Sequence, residues 1–491
     1  MDRRTFLKVS ALGAGVAIAP MLLLNRGGAL AAPINFDAPL SVPPLLEGLI
    51  EQHKRVFELS LQNGSSEFVP GYQTPTFGIN GAYLGPVIRA RKGDRVAISV
   101  RNQLEEPSTL HWHGVKLPGD MDGGPHQVIA PGEIWRPEFM IDQPASMQWY
   151  HSHAWHRTGE QVFKGLAGLF IIDDDQSDGL GLPNEYGVDD IPLVLQDRSF
   201  NRDGSFRYVA GMHQRMAGLL GNVMLVNGTV GPHLHTSKTR TRFRILNGSN
   251  ARIYNLAFDD QRPFQQIASD GGLLAEPVTL SRIRLAPGER AELVVDIKGG
   301  EEVFLQHQPM SVPGGGMMMA MTAGIDAAAF DILRITSSAT DVSGLPALPR
   351  RLATLPPLPS SPRGVSRQFV LDTQMMVGST INGKQMNLQR IDHKVVLGEE
   401  EVWEFVNRSP MPHPMHIHGV QFRVLSRNGN LPAKNEQGFK DTVLIHSDEV
   451  VRILASFDHP ASSRFPYMFH CHNLEHEDCV MIGQFTGEHL S

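Results

Sequence analysis

His470-Cys471-His472, with His476 and Met481 close behind, gathers soft and borderline metal ligands near the end of a 491-residue chain. In extended backbone, successive side chains point to opposite faces. Cys471 therefore faces one way, and His470 and His472 the other. A Cys thiolate with His and Met nearby is the ligand set of a blue-copper electron-transfer site. Two His on the opposite face are free to serve a second metal centre. One short strand would then join two copper sites covalently.

The same His-x-His spacing occurs at His111/His113, His151/His153 and His416/His418. One such pair often only faces solvent. Four pairs, two towards each end of the chain, are poorly explained that way. Imidazole is a usual copper ligand, and eight imidazoles suffice for a three-metal cluster between the first and last parts of the chain. The remaining donors are His413, which stands apart before its strand, Cys471 and His476, with Met481 as a weak axial ligand: the trigonal blue-copper set. A mononuclear acceptor wired to a multinuclear store implies one-electron oxidation of a donor and reduction of a multi-electron acceptor. O2, reduced to water, is the obvious acceptor. That reaction consumes protons, and a buried carboxylate beside the cluster would relay them. Asp122 and Glu477 are the candidates; their plainer alternatives are a turn residue before Gly123 and a surface charge.

The elements that must place these residues read as β. Arg95–Val100, Thr241–Asn247 and Arg290–Asp296 alternate apolar and polar residues, and Glu401–Asn407 reads as a further strand. The expected class is all-β, with three consecutive cupredoxin-like Greek-key sandwiches over 36–175, 190–336 and 366–491. Residues 337–365, rich in Pro and Ser from Pro346 to Arg363, form a linker. Leu285-Ala286-Pro287-Gly288-Glu289 echoes Ile129-Ala130-Pro131-Gly132-Glu133, which suggests one sandwich type repeated. The middle unit offers only His233 and His235, after Pro232, and these read as a turn feature. That unit is accordingly expected to be a spacer. Met317-Met318-Met319-Ala320-Met321, after three glycines, is either a flexible apolar loop or a thioether-rich flap that attracts Cu(I).

Composition bounds the rest. Hydrophobic content of 41%, charged content of 19% and a formal charge of −7 fit a globular protein with no basic footprint for nucleic acid. The only cysteines are Cys471 and Cys479. They could bridge, but Cys471 stands where a thiolate ligand is wanted, and Cys479 reads as a small packed thiol. Asp2-Arg3-Arg4-Thr5-Phe6-Leu7-Lys8, a modest apolar run to Leu24 and Ala29-Leu30-Ala31 read as a cleaved twin-arginine signal over 1–31. A membrane anchor is the alternative, but the run is short and broken by Pro20. The mature chain is expected in the periplasm or outside the cell, without a membrane span, as a monomer.

His-Trp-His-Gly at 111, His-Ser-His at 151, His-Pro-Met-His-Ile-His-Gly at 413 and His-Cys-His-x3-His-x4-Met at 470 resemble the four copper motifs of multicopper oxidases. That family includes laccases, ascorbate oxidase and copper efflux oxidases. The resemblance implies four coppers. His413, Cys471, His476 and Met481 would hold type 1. His111 and His416 would hold type 2. His113, His151, His153, His418, His470 and His472 would hold the type 3 pair. It also implies proton delivery by acids at Asp122 and Glu477. The partners it implies are O2 and a small electron donor, either a phenol, an aromatic amine or a metal ion. The signal, the Asp-Gly-Gly-Pro loop and the His-Glu-Asp ending are most similar to the copper efflux oxidases. Those carry a long Met-rich insert where Met375-Met376-Val377-Gly378 here runs almost directly into Ile381. Ser409 stands where they place an acid for substrate metal, while Met411 is retained. These departures favour a laccase-like oxidase over a metallo-oxidase for Cu(I), Fe(II) or Mn(II). A copper-free scaffold, like the exported cell-division proteins that resemble these oxidases, would have lost ligands that are all present here.

Overall fold

The computed structural model describes residues 34–209, 211–310, 328–340, 345–358, 364–374 and 378–490. The signal reading and the Met317–Met321, Met375 and Met376 readings lie outside these residues. Among the described residues the fold is all-β: six sheets and a few short helices, in cupredoxin-like sandwiches.

In each third of the chain two sheets close on a core of their own. The first core is built on Phe57, Ile98, Trp112 and Phe170, the second on Ile245, Leu256, Leu293 and Ile335, the third on Phe369, Trp403, Phe469 and Phe485. Each third repeats a long-range pairing. Lys54–Val69 runs parallel to Arg95–Asn102, Asp190–Arg198 to Arg240–Asn247, and Arg367–Gln374 to Glu400–Asn407. Parallel neighbours need a crossover rather than a hairpin, so this recurrence is a topological signature.

The echoed Ala-Pro-Gly-Glu turn has a structural counterpart in all three thirds. Gly132 N donates to Asn102 O (2.7 Å), and Gly288 N to Asn247 O (3.0 Å). Both glycines hold positive φ, 81° and 84°. In the last third Asp448 takes the glycine's place at φ 57°, and its N donates to Asn407 O (3.0 Å). The three asparagine amides repeat a second bond, to Ile129 O (2.8 Å), Leu285 O (2.9 Å) and Ile445 O (3.1 Å). Asp tolerates the left-handed region better than most residues, which is how the third copy persists without Gly.

Two readings are corrected. His233 and His235 lie in a strand, Pro232–Thr236, not a turn, and their rings bond Thr336 and Ser338. The strand pairs in parallel with Phe330–Ser337 and, on its other side, with Ala38–Pro39. Pro232 is tolerated because it opens the strand. His413 does not stand before its strand but begins it, His413–Ile417. The described part of the Pro-rich stretch, 345–358, has no regular structure. It is docked through Leu352, 1% exposed, whose N donates to Ala275 O.

Candidate metal centres

Two equivalent sheets carry the paired histidines. Strand His111–His113 lies beside Ser146–His151, with His111 opposite His151. Strand His413–Ile417 lies beside Tyr467–Cys471, with His416 opposite His470 and Met415 opposite Cys471. Pleat alternation then sorts the donors. His416, His418, His470 and His472 take one face; His413 and Cys471 take the other. All eight paired imidazoles are at most 1% exposed.

A cation fits this cluster, and the tautomers show why. A carbonyl or carboxylate oxygen only accepts, so a ring nitrogen bonded to one must carry the proton. His111 Nδ1 donates to Asp122 O (2.8 Å), His416 Nδ1 to Asp441 O (2.8 Å), His151 Nδ1 to Ser152 O (2.8 Å), and His470 Nδ1 to Cys471 O (3.1 Å). His418 Nδ1 donates to Asp122 Oδ2 (2.7 Å). In each the Nε2 lone pair is left facing inward. His113 is reversed: its Nε2 donates to Asp441 Oδ1 (2.9 Å), leaving Nδ1 inward. The inward nitrogens then confront one another. His418 Nε2 is 3.1 Å from His470 Nε2, which is 3.3 Å from His153 Nε2, and His151 Nε2 is 3.4 Å from His113 Nδ1. Lone pairs do not bond lone pairs. His111 Nε2, His416 Nε2 and both nitrogens of His472 have no partner at all. Burial, reinforced by neighbouring rings, keeps His113, His151, His153, His416, His418 and His472 well below the ordinary imidazole range, and His470 falls to about 3. The cluster is therefore a set of neutral donors converging on shared space.

Below it lies the second set. Cys471 Sγ is 3.4 Å from His413 Nδ1 and 3.5 Å from His476 Nδ1, with all three buried. His476 Nε2 donates to Met216 O (3.0 Å), and His413 Nε2 bonds Ser409 Oγ (2.7 Å). Both Nδ1 atoms are thus left for the sulfur's side, the outer-shell tethering expected of metal-binding His. Burial pushes the Cys471 thiol up and His476 down to about 4. Met481 is fully buried; its N donates to His476 O (2.9 Å), and Cys471 N donates to Met481 O (3.2 Å). Cys479 is free and half-buried.

Both candidate acids are at the cluster. Asp122 is 1% exposed and holds His418. Glu477 is 2% exposed, with Oε1 3.2 Å from His153 Nδ1 and Oε2 3.3 Å from His470 Nδ1. Glu477 is no surface charge; burial raises its pKa well above the usual carboxylate range.

The middle third is more than a spacer. Gly288 lies against the His472 ring, and Asn250 bonds Glu475, two residues before Glu477. Arg290 bridges the whole assembly. Its guanidinium donates to both Asp441 oxygens (2.6 Å each), to Met147 O (3.0 Å) and to Gln148 Oε1. Asp441 in turn holds His113 and Thr442 and lies 3.6 Å from His416. Lys440 pairs with Asp270 (2.9 Å) and Glu289 (3.3 Å) in the same buried layer. Sequence reading missed Asp441, Arg290 and Asp270. Lys440-Asp441-Thr442 was the available signal, but an adjacent acid and base normally mark a solvated turn.

This layer also accounts for the glycine after His-Trp-His. Gly114 has φ 84°, and an added Cβ would collide with Gln148 Oε1 and Asp441 Oδ2. Left-handed backbone costs a β-carbon residue ~1–2 kcal/mol, and overpacking about 1–3 more. Gly114→Ala is expected to destabilise the protein by about 2–5 kcal/mol, read as a lower denaturation midpoint with unchanged m-value.

The comparisons agree with this architecture. Multicopper oxidase profiles match residues 60–177 and 359–490. The chain is 36% identical to multicopper oxidase mco of Staphylococcus haemolyticus, over 87% of each chain. It is 35% identical to cell division protein FtsP of Photorhabdus laumondii, over 99% of this chain and 98% of that one. Among solved structures, a laccase-like multicopper oxidase from Ochrobactrum sp., described as acting on lignin model compounds and lignosulfonate, superposes with a TM-score of 0.83. It is 38% identical, over 92% of this chain and 100% of that one. With the family profiles, these identities and the sheet-borne histidine cluster in agreement, the chain belongs to the multicopper oxidase family.

Proposed function

We propose that this protein is an exported, laccase-like oxidase that takes single electrons from a small organic donor and reduces O2 to water. The observation that carries the reading is the complete set of buried donors, each ring but His153 and His472 hydrogen-bonded to an oxygen on its outer side. In this reading His413, Cys471, His476 and Met481 hold type 1 copper, and His111 and His416 hold type 2. The type 3 pair divides as the inward nitrogens do, His153, His418 and His470 against His113, His151 and His472. Bound copper supplies one-electron storage and the site where O2 is reduced.

The chain's own residues do the rest. His413 and His476 form the receiving edge. Cys471 is bonded through backbone to His470 and His472, so an electron reaching its sulfur has a covalent path to both type 3 halves. Asp122 keeps His418 and His111 oriented, through its carboxylate and its carbonyl respectively. Glu477, whose pKa burial raises well above the usual carboxylate range, stands between His153 and His470 as the proton carrier. Glu477→Gln keeps the shape and loses the transferable proton. Turnover is expected to fall by about 10²–10⁴, while the blue band and its anaerobic bleaching by donor are unchanged. Stopped-flow reduction under argon, beside O2 uptake in air, checks both halves.

The metallo-oxidase reading draws on one observation, the packing of Met310 against buried Met411, two residues before His413. The scaffold reading draws on the likeness to cell division protein FtsP. One experiment separates all three: copper analysis and absorption of the copper-supplied protein, followed by O2 uptake with a phenol and with Cu(I). Bound copper, a blue band and faster phenol turnover are expected. Faster Cu(I) turnover would favour the metallo-oxidase, and absence of both copper and colour would leave the scaffold.

A further inference from the structure

Arg423 is a charge without a counter-ion. It is 8% exposed, yet no carboxylate pairs with it among the described residues. Its Nη1 donates to Pro356 O (3.0 Å), its guanidinium carbon lies 5.5 Å from the centre of the Phe439 ring, and its Nε has no partner. A buried guanidinium normally recruits a carboxylate, because an unneutralised charge away from water is costly. The acids nearby are not doing so. Asp458 is taken by Lys116 (2.5 Å), and no ion pair to Arg423 is formed among the described residues.

The space beside Arg423 explains what could. A cavity of about 270 Å³ is lined by Arg423, Phe439, Leu454 and Pro357, and its wall also carries Glu400 and the Lys116–Asp458 ion pair. Its floor is built by strand register. Arg423 pairs with Phe439 on one neighbouring strand and with Leu454 on the other, so the three side chains stand in a row on one sheet face. The result is a donor set between an aromatic ring and aliphatic walls. The same wall carries a second unmatched atom, Gln421 Oε1, whose amide nitrogen donates to Gly114 O (2.7 Å) and Asp441 Oδ2 (3.1 Å). The volume is that of a one-ring molecule, and the polar group it would meet is a cation with its Nε unspent.

We propose that this cavity is a binding site for a small aromatic carboxylate, whose oxygens pair with the Arg423 guanidinium and whose ring packs between Phe439 and Leu454. Charge-assisted bonds supply orientation and the apolar walls exclude the ring from water. The site is separate from the copper ligands and is independent of the oxidase reading.

Calorimetric titration of the copper-loaded full chain with sodium benzoate tests it. Saturable one-site binding is expected, with no binding of the neutral isostere benzamide. Arg423→Gln should weaken benzoate by about 10- to 100-fold, the worth of hydrogen bonds to a charged group. Leu454→Glu places a carboxylate across the strand from Arg423 and should abolish binding while leaving the protein folded. It serves as the deciding variant if Arg423→Gln does not fold. The proposal is overturned if the wild-type chain does not bind benzoate, if benzamide binds equally, or if Arg423→Gln or Leu454→Glu binds as wild type does.

Discussion

Cys471→Ser should yield a folded, colourless protein. The blue absorption belongs to a copper–thiolate bond, and serine offers only a hard, poorly ionised hydroxyl in its place. The same change cuts the electron path, because the sulfur is the one atom that reaches both His413 and His476 and is itself flanked in sequence by His470 and His472. Turnover of any donor should drop by about 10³-fold or more, equivalent to ~4 kcal/mol of barrier. The structural cost is smaller. Cys471 is fully buried in the third core, so a hydroxyl left without a partner costs about 1–3 kcal/mol. Absorption spectra, copper content and melting of the two proteins distinguish the effects: one copper lost, the rest of the cluster retained, and a modest fall in melting temperature. A blue Ser variant would remove Cys471 from the site.

Arg290→Leu is expected to be the most damaging substitution at a residue that is not itself a candidate ligand. Arg290 is 1% exposed and is the sole cation on Asp441 among the described residues. Leucine fills much of the volume but leaves Asp441 buried and uncompensated, which typically costs about 3–5 kcal/mol. The loss reaches the cluster as well. Asp441 fixes the reversed ring of His113 through Nε2 and lies beside His416, and disturbing such outer partners lowers metal affinity or activity about 10- to 100-fold. Denaturant unfolding of the apoprotein should show the first effect, and competitive copper chelation of the folded protein the second. Asp441→Asn in the same background should recover stability but not copper affinity, since the neutral amide removes the stranded charge without restoring the ion pair. Equal stability of wild type and Arg290→Leu would show that Asp441 is neutralised some other way.

The candidate ligands were legible because metal coordination writes a dense local code. His-x-His on a strand fixes both nitrogens of a pair on one side, and four copies leave little else to explain them. The face assignment of Cys471 followed from pleating alone. The sandwiches were legible from alternation and from the Ala-Pro-Gly-Glu echo, but the third copy was hidden because Asp448 replaces the glycine that marked the other two. His413 was placed outside its strand because two prolines surround it, although the strand begins there. The buried charge layer was not legible at all. Arg290, Asp270 and Asp441 come from distant stretches, and nothing local distinguishes them from surface charges. Glu477 was suspected only through its neighbour His476, and its burial depends on a helix, Leu474–Asp478, packed against residues of the middle third.

The pairing of His111 with His418, rings stacked at 3.9 Å across more than half the chain, has a consequence for biosynthesis. Contacts between such distant segments form late, because the entropy of closing so large a loop must be overcome first. Both donor sets draw on the strand Tyr467–Cys471 and the residues just after it, so each stays incomplete until that segment has been synthesised. Until then the nascent protein displays only isolated His-x-His segments. In the proposed reading, metal loading is thereby deferred until this one segment closes and completes both centres together.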